Sequence, residues 1–150
     1  MTKTIRHQFF FQHSPETVWE YLTKSELLEQ WLMKNDFQPI VGHDFQFITN
    51  PIPSLDFDGI CYCKVLEIVP LEKLSYSWKG GSSKDKITLD TIVAWTLVPG
   101  ENGTQLLLEH SGFGKEESLN FYSGMTEGWI KNVLKITNLL NASHHGTNKA

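Results

Sequence analysis

Residues Leu119 to Leu140 read LNFYSGMTEGWIKNVLKITNLL, the last long apolar stripe in the chain. At helical spacing this stretch places Phe121, Met125, Trp129, Val133, Ile136 and Leu140 on one face. Ser123, Glu127, Lys131, Lys135 and Asn138 fall on the opposite face. The pattern predicts an amphipathic helix long enough to cross a small domain. Gly124 and Gly128 sit four apart beside the stripe, and each costs a helix about 1 kcal/mol relative to alanine. Close backbone approach or space kept free has to compensate. Asn132 lies inside the stripe, where its amide needs a partner in protein, water or ligand.

Upstream, the periodicity turns to that of a sheet. Thr4 to His13 alternate, with Ile5, His7, Phe9 and Phe11 on one side. Ser14-Pro15-Glu16 is a helix start: a capping serine, proline at the first helical position and an acid in the first turn. Thr23-x-x-Glu26 reads as a capping box for a second short helix, with Leu27, Leu28, Trp31 and Leu32 facing inward. His43, Phe45 and Phe47 alternate as a second strand. Gly59 to Val69 is apolar on both faces, the mark of a central strand. Leu74, Tyr76 and Trp78 alternate next, and Gly80-Gly81-Ser82-Ser83 reads as a flexible turn. Val93, Trp95 and Leu97, then Leu106, Leu108 and His110, complete the strands. Gly112 and Gly114 break the chain before the long helix. Hairpin-joined strands with helices kept apart predict an α+β fold built on an antiparallel sheet of about six strands, with two short helices after strand one. One domain over residues 1–142 and a disordered polar tail over 143–150 are expected; His144 and His145 fall in that tail.

Composition narrows the function classes. The chain has 150 residues and a formal charge of −4, and no Lys/Arg cluster exceeds a pair. Nucleic-acid binding ordinarily needs a basic stripe, so it is not expected. Near the start only Phe9, Phe10 and Phe11 form a continuous apolar run, short of a signal-peptide core, and no stretch is long enough for a membrane span. A cytoplasmic protein is therefore expected. Cys61 and Cys63 lie two apart, too close for an ordinary disulfide, and read as reduced core thiols. No metal is expected, because no second Cys/His pair stands at zinc spacing. Catalytic and dinucleotide motifs are missing too, and no cofactor is expected.

These motifs together resemble the activator of heat-shock protein 90 ATPase homologue family. Ser14-Pro15-Glu16-x-Val18-Trp19, with Leu22-Thr23 and Trp31, is similar to its opening. Val65-x-Glu67-Ile68-x-Pro70 leading to Leu74-x-Tyr76-x-Trp78 resembles its central hairpin. Val93-x-Trp95-x-Leu97, Gly103-Thr104-x-Leu106 and His110-Ser111-Gly112-Phe113 resemble its closing strands, and Gly128-Trp129 the pair on its last helix. The resemblance implies the helix-grip fold of the SRPBCC superfamily, START-like and shared with the birch-pollen-allergen type, in which a curved sheet wraps a long C-terminal helix. It also implies a cavity between them for a hydrophobic ligand. Cys63 departs from the family, which more often has glycine there.

If that fold holds, Trp31, Phe45, Phe47, Tyr76, Trp78, Trp95, His110, Phe113, Met125, Trp129, Asn132 and Val133 are the candidate ligand-binding residues. A pocket lined by aromatics with few polar groups is the usual small-molecule site, and a close-packed core is the alternative. A dry cavity costs about 24 cal/mol per Å³, so roughly 300 Å³ would cost about 7 kcal/mol, comparable to a domain's whole stability. Any large pocket must therefore hold ligand or water. Glu67 and His110 are the weak catalytic candidates: Glu67 if it faces the helix, where desolvation would raise its pKa, and His110 because it shares a face with Leu106 and Leu108. The expected function is a binding module for a small aromatic or lipid-like molecule. The alternatives are a stress-response co-chaperone of heat-shock protein 90, with the chaperone as partner, and a polyketide cyclase or dehydratase.

Overall fold

A computed structural model describes the backbone of residues 2–114 and 116–148, and the side chains of those residues except 117 and 143–148. The chain begins in β1 (Lys3–Phe11), whose inward residues Ile5 and Phe11 are buried. Ser14 then caps α1 (Pro15–Thr23), its hydroxyl accepting from the Thr17 amide at 3.3 Å. The short α2 (Ser25–Trp31) follows without a side-chain cap. The expected capping box does not form, because the Thr23 hydroxyl donates backward to the Trp19 carbonyl at 2.8 Å and Lys24 occupies the cap.

From there the chain meanders through β2 (Lys34–Asn35), β3 (Asp44–Ile48), β4 (Ile60–Val69), β5 (Lys73–Ser83), β6 (Lys86–Pro99) and β7 (Thr104–Phe113). The seven strands form one antiparallel sheet in the order β1-β7-β6-β5-β4-β3-β2. α1 and α2 thus carry the chain from one edge of the sheet to the other. The strand beyond the expected six is β2, whose two residues are too few to show an alternation. Gly80 and Gly81 are not a turn but lie inside β5, where the register shifts beside both. A side chain at 81 would collide with the Lys86 carbonyl, which explains the glycine.

The last element is α3 (Glu116–Asn148), lying against β1, β6, β7 and α2. Phe121, Trp129, Val133, Ile136 and Leu140 are buried, as the periodicity predicts, and Met125 is half-buried. This is the α+β helix-grip arrangement: a curved open sheet, two short helices near the start and a long C-terminal helix. The helical backbone runs on into the segment expected to be a tail. Residues 149–150, and the side chains of His144 and His145, lie outside the described residues. Among the described residues no helix is long and apolar enough to cross a membrane.

Candidate functional site

Inward-pointing rings from β3, β5, β6 and β7 gather on the side of the sheet that α3 covers. Phe37 abuts Phe45 at 5.0 Å between ring centroids, Phe45 abuts Tyr76 at 5.3 Å, and Phe47 abuts Trp78 at 5.1 Å. Trp129 of α3 sits edge-on to both Trp78 (5.3 Å) and Trp95 (5.4 Å), and Trp95 reaches Trp31 at 5.9 Å. These separations are those of favourable edge-to-face packing. The rings therefore occupy much of the space in which the family resemblance implies a cavity. Trp31, Phe47, Tyr76, Trp95 and Phe113 are essentially inaccessible. Their polar atoms are used internally: the Trp31 indole donates to the Tyr21 carbonyl at 2.8 Å, and the Trp95 indole to the Tyr76 hydroxyl at 2.9 Å.

His110 is fully enclosed beside Trp78, Phe113 and Trp129. The Trp129 indole can only donate, and it does so to His110 Nδ1 at 3.0 Å. Nδ1 is therefore the acceptor, and Nε2 carries the proton. That proton is given to Thr91 Oγ1 at 2.7 Å, and the Thr91 hydroxyl in turn donates to the Trp78 carbonyl at 2.7 Å. Burial pushes the imidazole pKa down to about 3, so the ring is neutral at ordinary pH. Both nitrogens are committed to holding Trp129 and β6 in place.

Glu67 lies outside this centre. A bulge in β4 between Val65 and Glu67 makes Leu66 the extra residue. The alternation shifts there, so Ile68 packs inward opposite Leu74 while Glu67 pairs with Ser75 and is exposed. Its parity with Val65 misleads because the bulge falls between them. Cys61 and Cys63 are free and buried. Burial raises the Cys61 thiol to about 12 and the Cys63 thiol well above its usual value, which makes both poor nucleophiles.

One opening interrupts the packed rings on the α3 side. A cleft of about 180 Å³ is lined by Trp78, Trp129, Met125, Gly124, Gly128 and Asn132, and closed on its far side by Leu32 and Met33 just after α2. A Cβ built at Gly124 or Gly128 would meet nothing within 4 Å. Gly124 is exposed and Gly128 half-buried, so no close approach requires either glycine, and both line the cleft alongside the Trp78 and Trp129 indoles. Asn132 is half-buried, and no hydrogen bond joins its amide to another described residue. Of the twelve candidates, the structure gathers Trp78, Met125, Trp129 and Asn132 around this cleft. Trp31, Phe45, Phe47, Tyr76, Trp95, His110, Phe113 and Val133 belong to the filled core beside it. Leu32 and Met33 carry no sequence signal of this role, because only the tertiary contact between α2 and α3 brings them there.

A larger groove of about 690 Å³ is lined by Asp36, Asp44, Gln46, Tyr62, Lys64 and Lys79, among others. Two of its lysines form exposed ion pairs, Lys64 with Asp44 at 3.8 Å and Lys79 with Asp90 at 4.0 Å, the geometry of a solvated surface. No three His, Cys, Asp or Glu side chains converge to hold a metal among the described residues.

The sequence profile of the family described as "Activator of Hsp90 ATPase homolog 1-like protein" matches residues 12–141. Among solved structures, protein MLL2253 from Mesorhizobium loti is 35% identical, over 93% of this chain and 98% of that one, with a TM-score of 0.81. Protein BH1534 from Bacillus halodurans is 27% identical over 92% of this chain and 98% of its own, with a TM-score of 0.72. DynU16, a putative protein in the dynemicin biosynthetic locus, is 18% identical over 93% of this chain but 48% of its own, with a TM-score of 0.75; that likeness is one of fold. No curated protein gives a significant match.

Proposed function

This chain belongs to the Activator of Hsp90 ATPase homolog 1-like family, and from that premise and its cleft we propose that it is a binding module for a small hydrophobic molecule held between the sheet and α3. The observation that carries the proposal is the pair Gly124 and Gly128. Glycine in a helix interior costs about 1 kcal/mol relative to alanine. The usual compensation is a neighbouring backbone that approaches too closely for a side chain. Here a Cβ would meet nothing within 4 Å at exposed Gly124 or at half-buried Gly128, and both glycines line the cleft together with two indole rings. Destabilising residues that keep an apolar concavity open are what a binding site calls for. The buried, reduced thiols of Cys61 and Cys63 fit a reducing compartment such as the cytoplasm.

An amide-resolved NMR titration of the whole chain with a mixed library of lipids, polyketides and small aromatics tests this. The expected result is saturable shifts clustered on Trp78, Gly124, Gly128, Trp129 and Asn132, lost in Gly128→Leu, whose side chain fills the cleft. A flat response across the library removes the proposal and moves attention to the outer surface and a protein partner.

A further inference from the structure

Resting on that binding reading, we infer that the cleft takes a neutral, single-ring aromatic compound bearing one hydrogen-bonding substituent, rather than an acyl chain or a multi-ring polyketide. Size is the first argument. The cleft measures about 180 Å³. An apolar cavity of roughly 150 Å³ accommodates benzene, whereas drug-sized ligands occupy pockets of about 300 to 1,000 Å³. The two indoles of the lining are held in place. Trp129 is tied through its indole nitrogen to His110, and Trp78 is wedged between Phe47 and Trp129.

Chemistry is the second argument. Trp78 and Trp129 cross at 62°, so the floor offers an indole face and an indole edge together, a surface against which a flat ring packs face-on or edge-on. Met33 and Met125 supply thioethers, which make favourable contacts with aromatic rings and adjust to their outline. None of the lining residues is ionisable, so a charged ligand would lose hydration with no countercharge to meet it. Asn132 is the single carboxamide of the lining, and the Trp129 indole N–H is already given to His110. Its carboxamide both donates and accepts, and so suits a hydroxyl or an amide on the ring.

The test is a titration of the isotope-labelled chain with phenol, benzoate, cyclohexanol, toluene and tetradecanoate, read at the backbone amides and the Trp129 indole. Phenol is expected to saturate shifts at Gly124, Gly128, Asn132 and the Trp129 indole. Benzoate and cyclohexanol are each expected to bind at least tenfold more weakly, and tetradecanoate to leave the cleft signals unmoved. Asn132→Leu, with its fold checked by the dispersion of the remaining amide signals, should weaken phenol several-fold while leaving toluene unchanged or tighter. Tetradecanoate saturating the cleft while phenol does not would overturn the ligand class and leave the binding module standing. Benzoate matching phenol would overturn the requirement for neutrality, and cyclohexanol matching it would overturn the requirement for an aromatic ring. If none of the five compounds moves the cleft signals, this inference fails. The broader reading then stands or falls separately on the lipid and polyketide arms of the library.

Discussion

Two stretches of α3 face the same sheet and do opposite things. From Trp129 to Leu140, the inward positions 129, 133, 136 and 140 carry large side chains that are buried to the last few per cent. One turn earlier, Gly124 and Gly128 present no side chain, and half-buried Met125 stands beside the cleft. The later stretch closes the core; the earlier one holds it open. Apolar periodicity alone describes both stretches as one stripe. The difference lies in what the positions carry: large buried side chains in the later stretch, and glycine beside the cleft in the earlier one.

The filled half should fail first and hardest. Trp95 is 1% exposed, in ring contact with Trp31 and Trp129, and bonded to the Tyr76 hydroxyl. Trp95→Ala is expected to cost about 3–5 kcal/mol, the range for deleting a buried aromatic. Urea denaturation measures it. A loss under about 1 kcal/mol would mean that the rings are not close-packed, and would blur the contrast between the two stretches.

Acid should act on the same block through His110. Its folded pKa, about 3, lies below the ordinary histidine value near 6.5. Between those values the unfolded chain binds a proton that the folded chain refuses, so stability rises with pH. The full benefit is present above about pH 6.5 and is eroded as pH falls toward 3. The slope approaches about 1.4 kcal/mol per pH unit below the unfolded pKa, so about 2 kcal/mol is lost between pH 6.5 and 4.5. Denaturation midpoints for the wild type and His110→Gln at the two pH values isolate this contribution from the carboxylates. Equal pH sensitivity in both proteins would show that His110 is not held neutral. A smaller effect is expected of Thr91→Val, which leaves the His110 Nε2 proton and the Trp78 carbonyl without the hydroxyl between them. Loss of such buried partners costs about 1–3 kcal/mol. The Trp129 indole resonance should shift with it, because His110 would lose its anchor.

Much of this contrast is legible in the sequence, though unevenly. The helix, its buried face and the anomaly of Gly124, Gly128 and Asn132 all follow from spacing and propensity. So does the alternation of Tyr76, Trp78, Val93 and Trp95. What periodicity cannot show is whether converging rings leave a gap. That depends on interlocking angles such as the edge-on crossing of Trp129 with both Trp78 and Trp95. Alternation also cannot foresee a bulge, and one inserted residue at Leu66 turns Glu67 from a candidate acid into an exposed strand residue. The Thr23 hydroxyl, likewise, had two possible backbone partners, and in the fold it bonds the Trp19 carbonyl of α1 rather than capping α2.

The smallest effect is the one that most sharpens the comparison. At Gly128 a methyl group would point into open space, so nothing opposes the helix propensity of alanine. Gly128→Ala is expected to raise stability by up to about 1 kcal/mol, and the double change with Gly124→Ala by somewhat less than twice that. Each added methyl also narrows a cleft of only about 180 Å³, so phenol affinity should fall while thermal stability climbs. Chemical denaturation and the NMR titration, run on the same samples, give both numbers. Opposite movement of the two is the signature of residues kept for space. Higher stability with unchanged affinity would place the bound compound elsewhere. Lower stability would mean that the glycines answer to packing after all, and α3 would then be one continuous closing surface from end to end.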